Sequence, residues 1–119
     1  MKRTEALSAL AALAQDTRLT VFRLLARQAP AGLPAGAIAR RIGAVPSTLS
    51  FHLSQLEAAG LVRSRRRQRQ VVYAVDAAGI RRLLAFLTED CCGGQPELCG
   101  GVPAATSREE YRPAKVDET

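Results

Sequence analysis

The sequence predicts a mainly α fold of the α+β class, with about five helices and one two-stranded β-hairpin. Three observations predict it. Apolar residues recur at helical spacing in five separate stretches. Two of those stretches are short and flank Gly43-Ala44-Val45-Pro46, which gives them helix-turn-helix spacing. A β-branched run, Val71-Val72-Tyr73-Ala74-Val75, follows an arginine-rich segment and reads as the return strand of a hairpin.

The elements follow in order. Leu7, Leu10 and Leu13, with Ala6 and Ala14, mark a first helix after a Thr4 cap. Asp16 can cap a second, with Leu19, Phe22, Leu25 and Ala26 on its apolar face; it ends before Pro30, and Pro30-Ala31-Gly32 is a loop. Pro34 suits the first turn of a third helix, with Ile38 and Ile42 inward and Gly43 as its stop. Ser47 can cap a fourth, whose core stripe is Leu49, Leu53 and Leu56 and which ends at Gly60. Leu61-Val62 opens a strand, 63–69 is the turn region, and 71–75 returns. Asp76 can cap the last helix, with Ile80, Leu83, Leu84 and Leu87 on one face. No internal repeat is visible.

A chain of 119 residues has room for one domain, and its 47% hydrophobic content supports a core. With 4% aromatics and no Trp, that core is built from Leu, Ile, Val and Ala. No apolar run reaches membrane-spanning length and no secretory signal pattern stands near Met1, so the expected location is the cytoplasm. There thiols stay reduced, and Cys91, Cys92 and Cys99 read better as ligands or sensors than as a disulfide framework. The organisation expected is a domain over 1–90, a cysteine-containing segment over 91–102 and a flexible tail over 103–119, where Gly, Pro, Ala and charge show no periodicity.

Charge is unevenly placed. Residues 1–88 hold fourteen Lys/Arg against four Asp/Glu, a net of +10; residues 89–119 hold three against seven, a net of −4. The basic body suits a polyanion such as nucleic acid, although a merely soluble basic protein has the same balance. Opposite the leucine stripe, the fourth helix carries Ser47, Thr48, Ser50, Ser54 and Gln55. Small hydroxyls let a helix backbone approach a major groove and bond phosphates and base edges, though an ordinary solvated face looks the same. Arg63, Arg65, Arg66, Arg67 and Arg69 share one acid-free segment. Their mutual repulsion is relieved by a polyanion, and on a projecting hairpin they reach phosphates or the minor groove. His52 is the sole histidine. It reads either as a helix residue making one hydrogen bond or touching a phosphate, or as a metal ligand or catalytic base. No second His or nearby acid completes the latter site.

Leu13-Ala14-Gln15-Asp16-Thr17-Arg18-Leu19, Ser47-Thr48-Leu49-Ser50-Phe51-His52-Leu53, Leu56-Glu57-Ala58-Ala59-Gly60-Leu61-Val62 and Val72-Tyr73-Ala74-Val75 occur in that order. Over about residues 5–90 the chain resembles the ArsR/SmtB family of bacterial metal-sensing repressors. The resemblance implies a winged helix-turn-helix homodimer with the first and last helices at the interface. It implies a repressor that binds double-stranded DNA at an imperfect palindrome in its own promoter and is released by an inducer. Helix 47–59 would enter the major groove, with Ser47, Thr48, Ser50, Phe51, His52 and Gln55 as DNA-contacting candidates, and hairpin 62–75 would be the wing. The family's wing turn usually contains Gly; this tip reads Arg66-Arg67-Gln68-Arg69.

Family members bind ions at different places. A close group of cysteines on the helix before the recognition helix is one site, and here 33–40 has no thiol. Another pairs Asp and His with His and Glu at the last helices, and here the last helix has no His. What remains, Cys91, Cys92 and Cys99, is similar to an arsenic-responsive branch with vicinal and third cysteines at the C-terminal end. The chemistry agrees: structural zinc prefers four ligands, whereas trivalent arsenic or antimony is soft and satisfied by three thiolates. Gly93, Gly94 and Pro96 can fold Cys99 back over the pair. The expected inducer is therefore As(III), with Sb(III) as a second possibility, and no organic cofactor is expected. Three incidental cysteines, a thiol-redox switch and a site for another soft metal, with water, His52 or Glu89 as a fourth ligand that no spacing selects, are the competing accounts. A thiol enzyme needs a nucleophilic Cys beside a base or a Cys-x-x-Cys pair, and neither is present.

Overall fold

The structure, a computed structural model, describes residues 1–91. Cys92, Cys99 and the tail expected over 103–119 lie outside the described residues. Two units are distinguished, Lys2–Ile80 and, from Arg81 onward together with Met1, a second.

The first unit begins with α1 (Arg3–Leu13) and α2 (Asp16–Arg27). The first helix starts a residue before Thr4, and Lys2 backbone N–H donates to Glu5 Oε1 at 2.7 Å. Its buried residues are Ala6, Ala9 and Ala12, while Leu7 and Leu10 are 55% and 40% exposed. The leucine stripe in the sequence is thus not the inner face; alanines let α1 lie close against α2 and α4 (Pro46–Ala58). Gln15, not Asp16, caps α2: its Oε1 accepts from Arg18 N–H at 2.8 Å. Val21 and Leu25 are its fully buried residues, and Leu19 stays 43% exposed.

Leu33–Pro34 forms a short strand, β1, where the sequence predicts only the approach to a helix. It pairs antiparallel with β3 (Gln70–Val75), which pairs in turn with β2 (Val62–Arg67), giving sheet order β1-β3-β2. Helix α3 (Ala35–Ile42) follows β1, with Ile38 fully buried. Gly43 ends it at φ 71°, where its N–H returns to the Ala39 carbonyl at 2.8 Å. This left-handed C-cap favours glycine. Pro46 occupies the first turn of α4, and Val45 precedes it, so Ser47 lies inside the helix instead of capping it. The inward stripe is Leu49, Leu53 and Leu56, as the periodicity predicts, with His52 added to it.

The arginine segment is strand rather than turn. Val62 to Arg67 pair residue by residue with Val75 to Gln70, and the turn contracts to Gln68-Arg69. Gln68 takes φ 57° there, the conformation glycine would supply more easily. Asp76 then caps α5 (Ala77–Ala85) as expected, its Oδ1 accepting from Gly79 N–H at 3.1 Å. A Cβ on Gly79 would run into the Gly60 carbonyl oxygen, so the start of α5 passes close to the end of α4.

In the second unit α5 continues into a π-helical turn, Phe86–Cys91. Thr88 Oγ1 donates to the Leu84 carbonyl at 2.8 Å, a back-bond that accompanies the widened helix. The fold is the mainly α, winged helix-turn-helix architecture that the sequence predicts, with one additional short strand. Among the described residues no helix is long and apolar enough to cross a membrane.

Candidate nucleic-acid interface

Helix α4 presents two faces. Leu49, Leu53 and Leu56 are 0–2% exposed and anchor it to the core. At about 1.5–3 kcal/mol for each fully buried leucine, this stripe dominates its placement. Ser47, Thr48, Ser50, Ser54 and Gln55 are all exposed on the other side. Phe51 stands among them at 56% exposure. The face therefore offers hydroxyl and amide groups able to bond base edges or phosphates, plus one ring suited to a thymine methyl.

His52, grouped with those residues from the sequence, is placed elsewhere. It is 8% exposed, and its Nδ1 lies 3.1 Å from Arg18 NH1 on α2. Its ring meets the Phe51 ring edge-on, with centroids 5.5 Å apart at 62°. Sequence reading missed Arg18 as its partner because thirty-four positions separate the two. The signal was a polar residue inside a leucine stripe, which needs a buried partner.

The hairpin sorts its arginines by register. Arg63, Arg65 and Arg67 alternate along β2 and share one face, and Arg66 lies on the other with Ser64. Arg69 sits in the two-residue turn. All five are exposed, and among the described residues none has an acidic partner. On the Ser64 face, Ser64 Oγ donates to Glu57 Oε2 at 2.9 Å, tying the base of the hairpin to the last turn of α4. Tyr73, paired with Ser64 across the sheet, has its phenol held above the ordinary value of 10.0 by burial and then by the nearby Glu57 carboxylate.

A second basic cluster was not singled out from the sequence. Arg23, Arg27 and Arg41 rim a cavity of about 370 Å³ between α2 and α3, with Leu19, Leu24 and Ile42 among its apolar walls. Its residues are dispersed over two helices, so no run of charge announces it.

For the cysteines the structure gives little. Cys91 is the last residue of the π-helical turn, and Cys92 and Cys99 lie outside the described residues. Among the described residues no group of three or more His, Cys, Asp or Glu stands close enough to hold a metal ion.

Comparison with known proteins places this geometry. A family model described as a helix-turn-helix domain matches residues 13–65. The nodulation protein NolR of Rhizobium meliloti is 32% identical over 80 residues, which is 67% of this chain. The chain spans 63% of the length of that protein. Among solved structures, an ArsR-like transcriptional regulator from Rhodococcus sp. RHA1 superposes with TM-score 0.68 at 27% identity, covering 81% of this chain and 88% of that one. NolR from Sinorhizobium fredii gives 0.57 at 31% identity, with 73% and 84% covered. A possible transcriptional regulator for arsenical resistance gives 0.61 at 26% identity, with 81% and 97% covered. The fold is that of winged helix-turn-helix DNA-binding regulators. By its helix-turn-helix, its hairpin wing and these relatives, the chain belongs to the winged helix-turn-helix, ArsR/SmtB-like superfamily of transcriptional regulators.

Proposed function

We propose that the protein is a homodimeric repressor that binds double-stranded DNA at an imperfect palindrome and releases it on binding trivalent arsenic. The observation that carries the DNA reading is the exposed polar face of α4 beside five exposed arginines on the hairpin. In this reading Ser47, Thr48, Ser50, Phe51 and Gln55 enter the major groove, while Arg63, Arg65, Arg66, Arg67 and Arg69 take phosphates or the minor groove. His52 acts from inside the domain. The exposed Leu7 and Leu10 of α1 support pairing with a second copy, since two large apolar side chains there stand uncovered among the described residues.

Cys91, Cys92 and Cys99 form the inducer site over segment 91–102. Arsenite would exchange its three hydroxyls for three thiolates, each thiol proton leaving with a hydroxyl as water. Antimonite has the same valence and the same preference for sulfur. The similarity to a possible regulator for arsenical resistance supports this assignment. So does the placing of the only three cysteines within nine residues. A ligand releases DNA only if it binds the low-affinity state better, by a coupling typically of ~1–3 kcal/mol. A thiol-redox repressor on the same fold makes a different prediction: peroxide releases DNA and arsenite does not.

The test is fluorescence anisotropy of a labelled duplex that the wild-type protein enriches from a randomised pool. Arsenite should release it from wild type and not from Cys91→Ser or Cys92→Ser. Cys99→Ser leaves two thiols, enough for a monomethylated trivalent arsenical but not for arsenite. All variants should bind DNA without inducer. Release of DNA from the triple Cys→Ser protein by arsenite refutes the sensor assignment. Failure of that protein to bind DNA at all makes the cysteines structural.

A further inference from the structure

Arg18 is bonded to three helices. Its backbone N–H donates to Gln15 Oε1 at the start of α2, and its Nε donates to the Ala12 carbonyl near the end of α1 at 2.7 Å. Its NH1 meets His52 Nδ1 of α4 at 3.1 Å. A guanidinium has donors and no acceptor, so Nδ1 must accept, and the ring proton must sit on Nε2. A protonated imidazole has no lone pair to offer and would place a second cation against Arg18. For the contact to be a hydrogen bond, Nδ1 must carry no proton and the ring proton must sit on Nε2.

The neighbouring residues in that stripe are leucines, and a leucine would pack there without needing a partner. Leucine contacts are non-directional. Together they bury one stripe of α4 and so fix its depth and its inward face, but no one of them sets a direction. The Arg18–His52 bond is directional and lies on the buried side, opposite the exposed polar face. A helix with side chains has a radius of about 5–6 Å, so turning it by about 20° moves a side-chain tip by about 2 Å. That displacement is enough to break a hydrogen bond to a base edge. His52 also abuts Phe51, whose ring stands on the exposed face.

We propose that Arg18 and His52 are positioning residues for DNA recognition, a neutral His52 accepting from Arg18 to fix the rotation of α4 and so the aim of Ser47, Ser50 and Phe51. The inference rests on α4 being the recognition helix, as proposed above. It separates two contributions to binding: base readout depends on the bond, whereas phosphate contacts from the hairpin do not.

The experiment uses the full chain, the enriched duplex and a scrambled duplex of equal composition. His52→Leu removes the acceptor and suits the leucine stripe. His52→Asn sets an amide oxygen near the position of Nδ1 and keeps the acceptor. Arg18→Met keeps the aliphatic stem and removes the donors to both His52 and the Ala12 carbonyl, so His52→Leu is the variant that isolates the bond to α4. His52→Leu and Arg18→Met should each lose about tenfold or more on the enriched duplex, the scale of one hydrogen bond to a charged group, with affinity for the scrambled duplex unchanged. His52→Asn should stay within about threefold of wild type, since it preserves that bond. Because His52 is the sole histidine, its imidazole ¹⁵N signals are unambiguous and should report a bare Nδ1 and a protonated Nε2 at neutral pH. The proposal is overturned if His52→Leu binds the enriched duplex like wild type, if both duplexes lose equally, or if Nδ1 carries a proton. Should His52→Leu and Arg18→Met unfold, His52→Gln, whose amide lies at the place of Nε2 instead of Nδ1, is read against His52→Asn, and equal binding of the enriched duplex by the two overturns the proposal. Ser50→Leu separates the two claims. If it still binds the enriched duplex, α4 is not the recognition helix; if it fails while His52→Leu binds normally, only the positioning claim is lost.

Discussion

The register of the hairpin makes the role of its arginines measurable. Replacing Arg65 and Arg67 with Ala removes two guanidinium groups from one face of β2 in each protomer of the proposed homodimer, while Arg66→Ala removes one from the other face. Each phosphate contact on duplex DNA contributes about −0.9 to the slope of log affinity against log salt. In a homodimer the double substitution removes up to four contacts, so the slope should flatten by about 1.8 if half of them form and about 3.6 if all do. Between about 50 and 200 mM salt, wild type should then lose some ten- to hundredfold more affinity than the variant. Anisotropy titrations of the enriched and scrambled duplexes at several salt concentrations measure this. The two duplexes should change together, because phosphate contacts carry no base information. An unchanged slope removes the hairpin from the interface. A slope that flattens for Arg66→Ala but not for the double variant reverses the face that meets DNA.

Three further outcomes test the fold around this interface. Gln68→Gly should raise the urea midpoint at unchanged m, a stabilisation of up to about 1 kcal/mol, because glycine takes φ 57° without the left-handed penalty but loses more chain entropy on folding; a lower midpoint would mean that the Gln68 side chain stabilises the turn. Leu53→Ala, at a fully buried position, should cost about 2–5 kcal/mol in denaturant unfolding, and a cost under about 1 would place α4 outside the core. The raised pKa of Tyr73 favours its neutral phenol in the fold, so its contribution is fully present below pH 10.0, the ordinary value, and is lost as pH rises through the folded value. In a Tyr111→Phe background a phenolate absorbance titration should show Tyr73 ionising above that ordinary value, and Glu57→Gln should move it back down; a midpoint at or below it refutes the placement.

Periodicity was enough to read α4, α3 and the return strand, because each shows one unambiguous apolar face or a β-branched run. It misled at α1. Leu7 and Leu10 are the larger apolar residues, but Ala6, Ala9 and Ala12 are the ones buried, since a close helix crossing selects small side chains. Hydrophobicity alone cannot separate a core stripe from a face kept for another surface. Caps were also misplaced. Asp16, Thr4 and Ser47 are all good capping residue types, yet the helices begin at Asp16, Arg3 and Pro46. A sequence offers several candidates within two residues, and packing chooses among them. The arginine segment looked like a turn because it lacks apolar alternation. Pairing with Val71, Val72 and Tyr73 makes it strand anyway, since an exposed strand face tolerates any side chain. Of the candidate site, the α4 face and the hairpin charge were legible, and the Arg18–His52 bond was not, because a contact over thirty-four positions leaves no local pattern.

Magnitudes rank what holds α4 in place. Burial of Leu49, Leu53 and Leu56 stabilises it most, by about 5–9 kcal/mol on transfer scales before the entropy of ordering is set against it. Each of those contacts is non-directional, so the stripe sets which face is inward without any bond of fixed direction. The Ser64–Glu57 bond at the end of α4 is exposed to water, and a net contribution under about 1 kcal/mol is its usual scale. The Arg18–His52 bond is part-buried and engages a charged donor, so losing one partner leaves the other poorly solvated. Its removal therefore costs more than the exposed bond does, and the cost falls on orientation rather than on burial. A histidine in a leucine stripe is a poor choice for stability alone. Its presence there is explained by what the opposite face of the same helix must be aimed at.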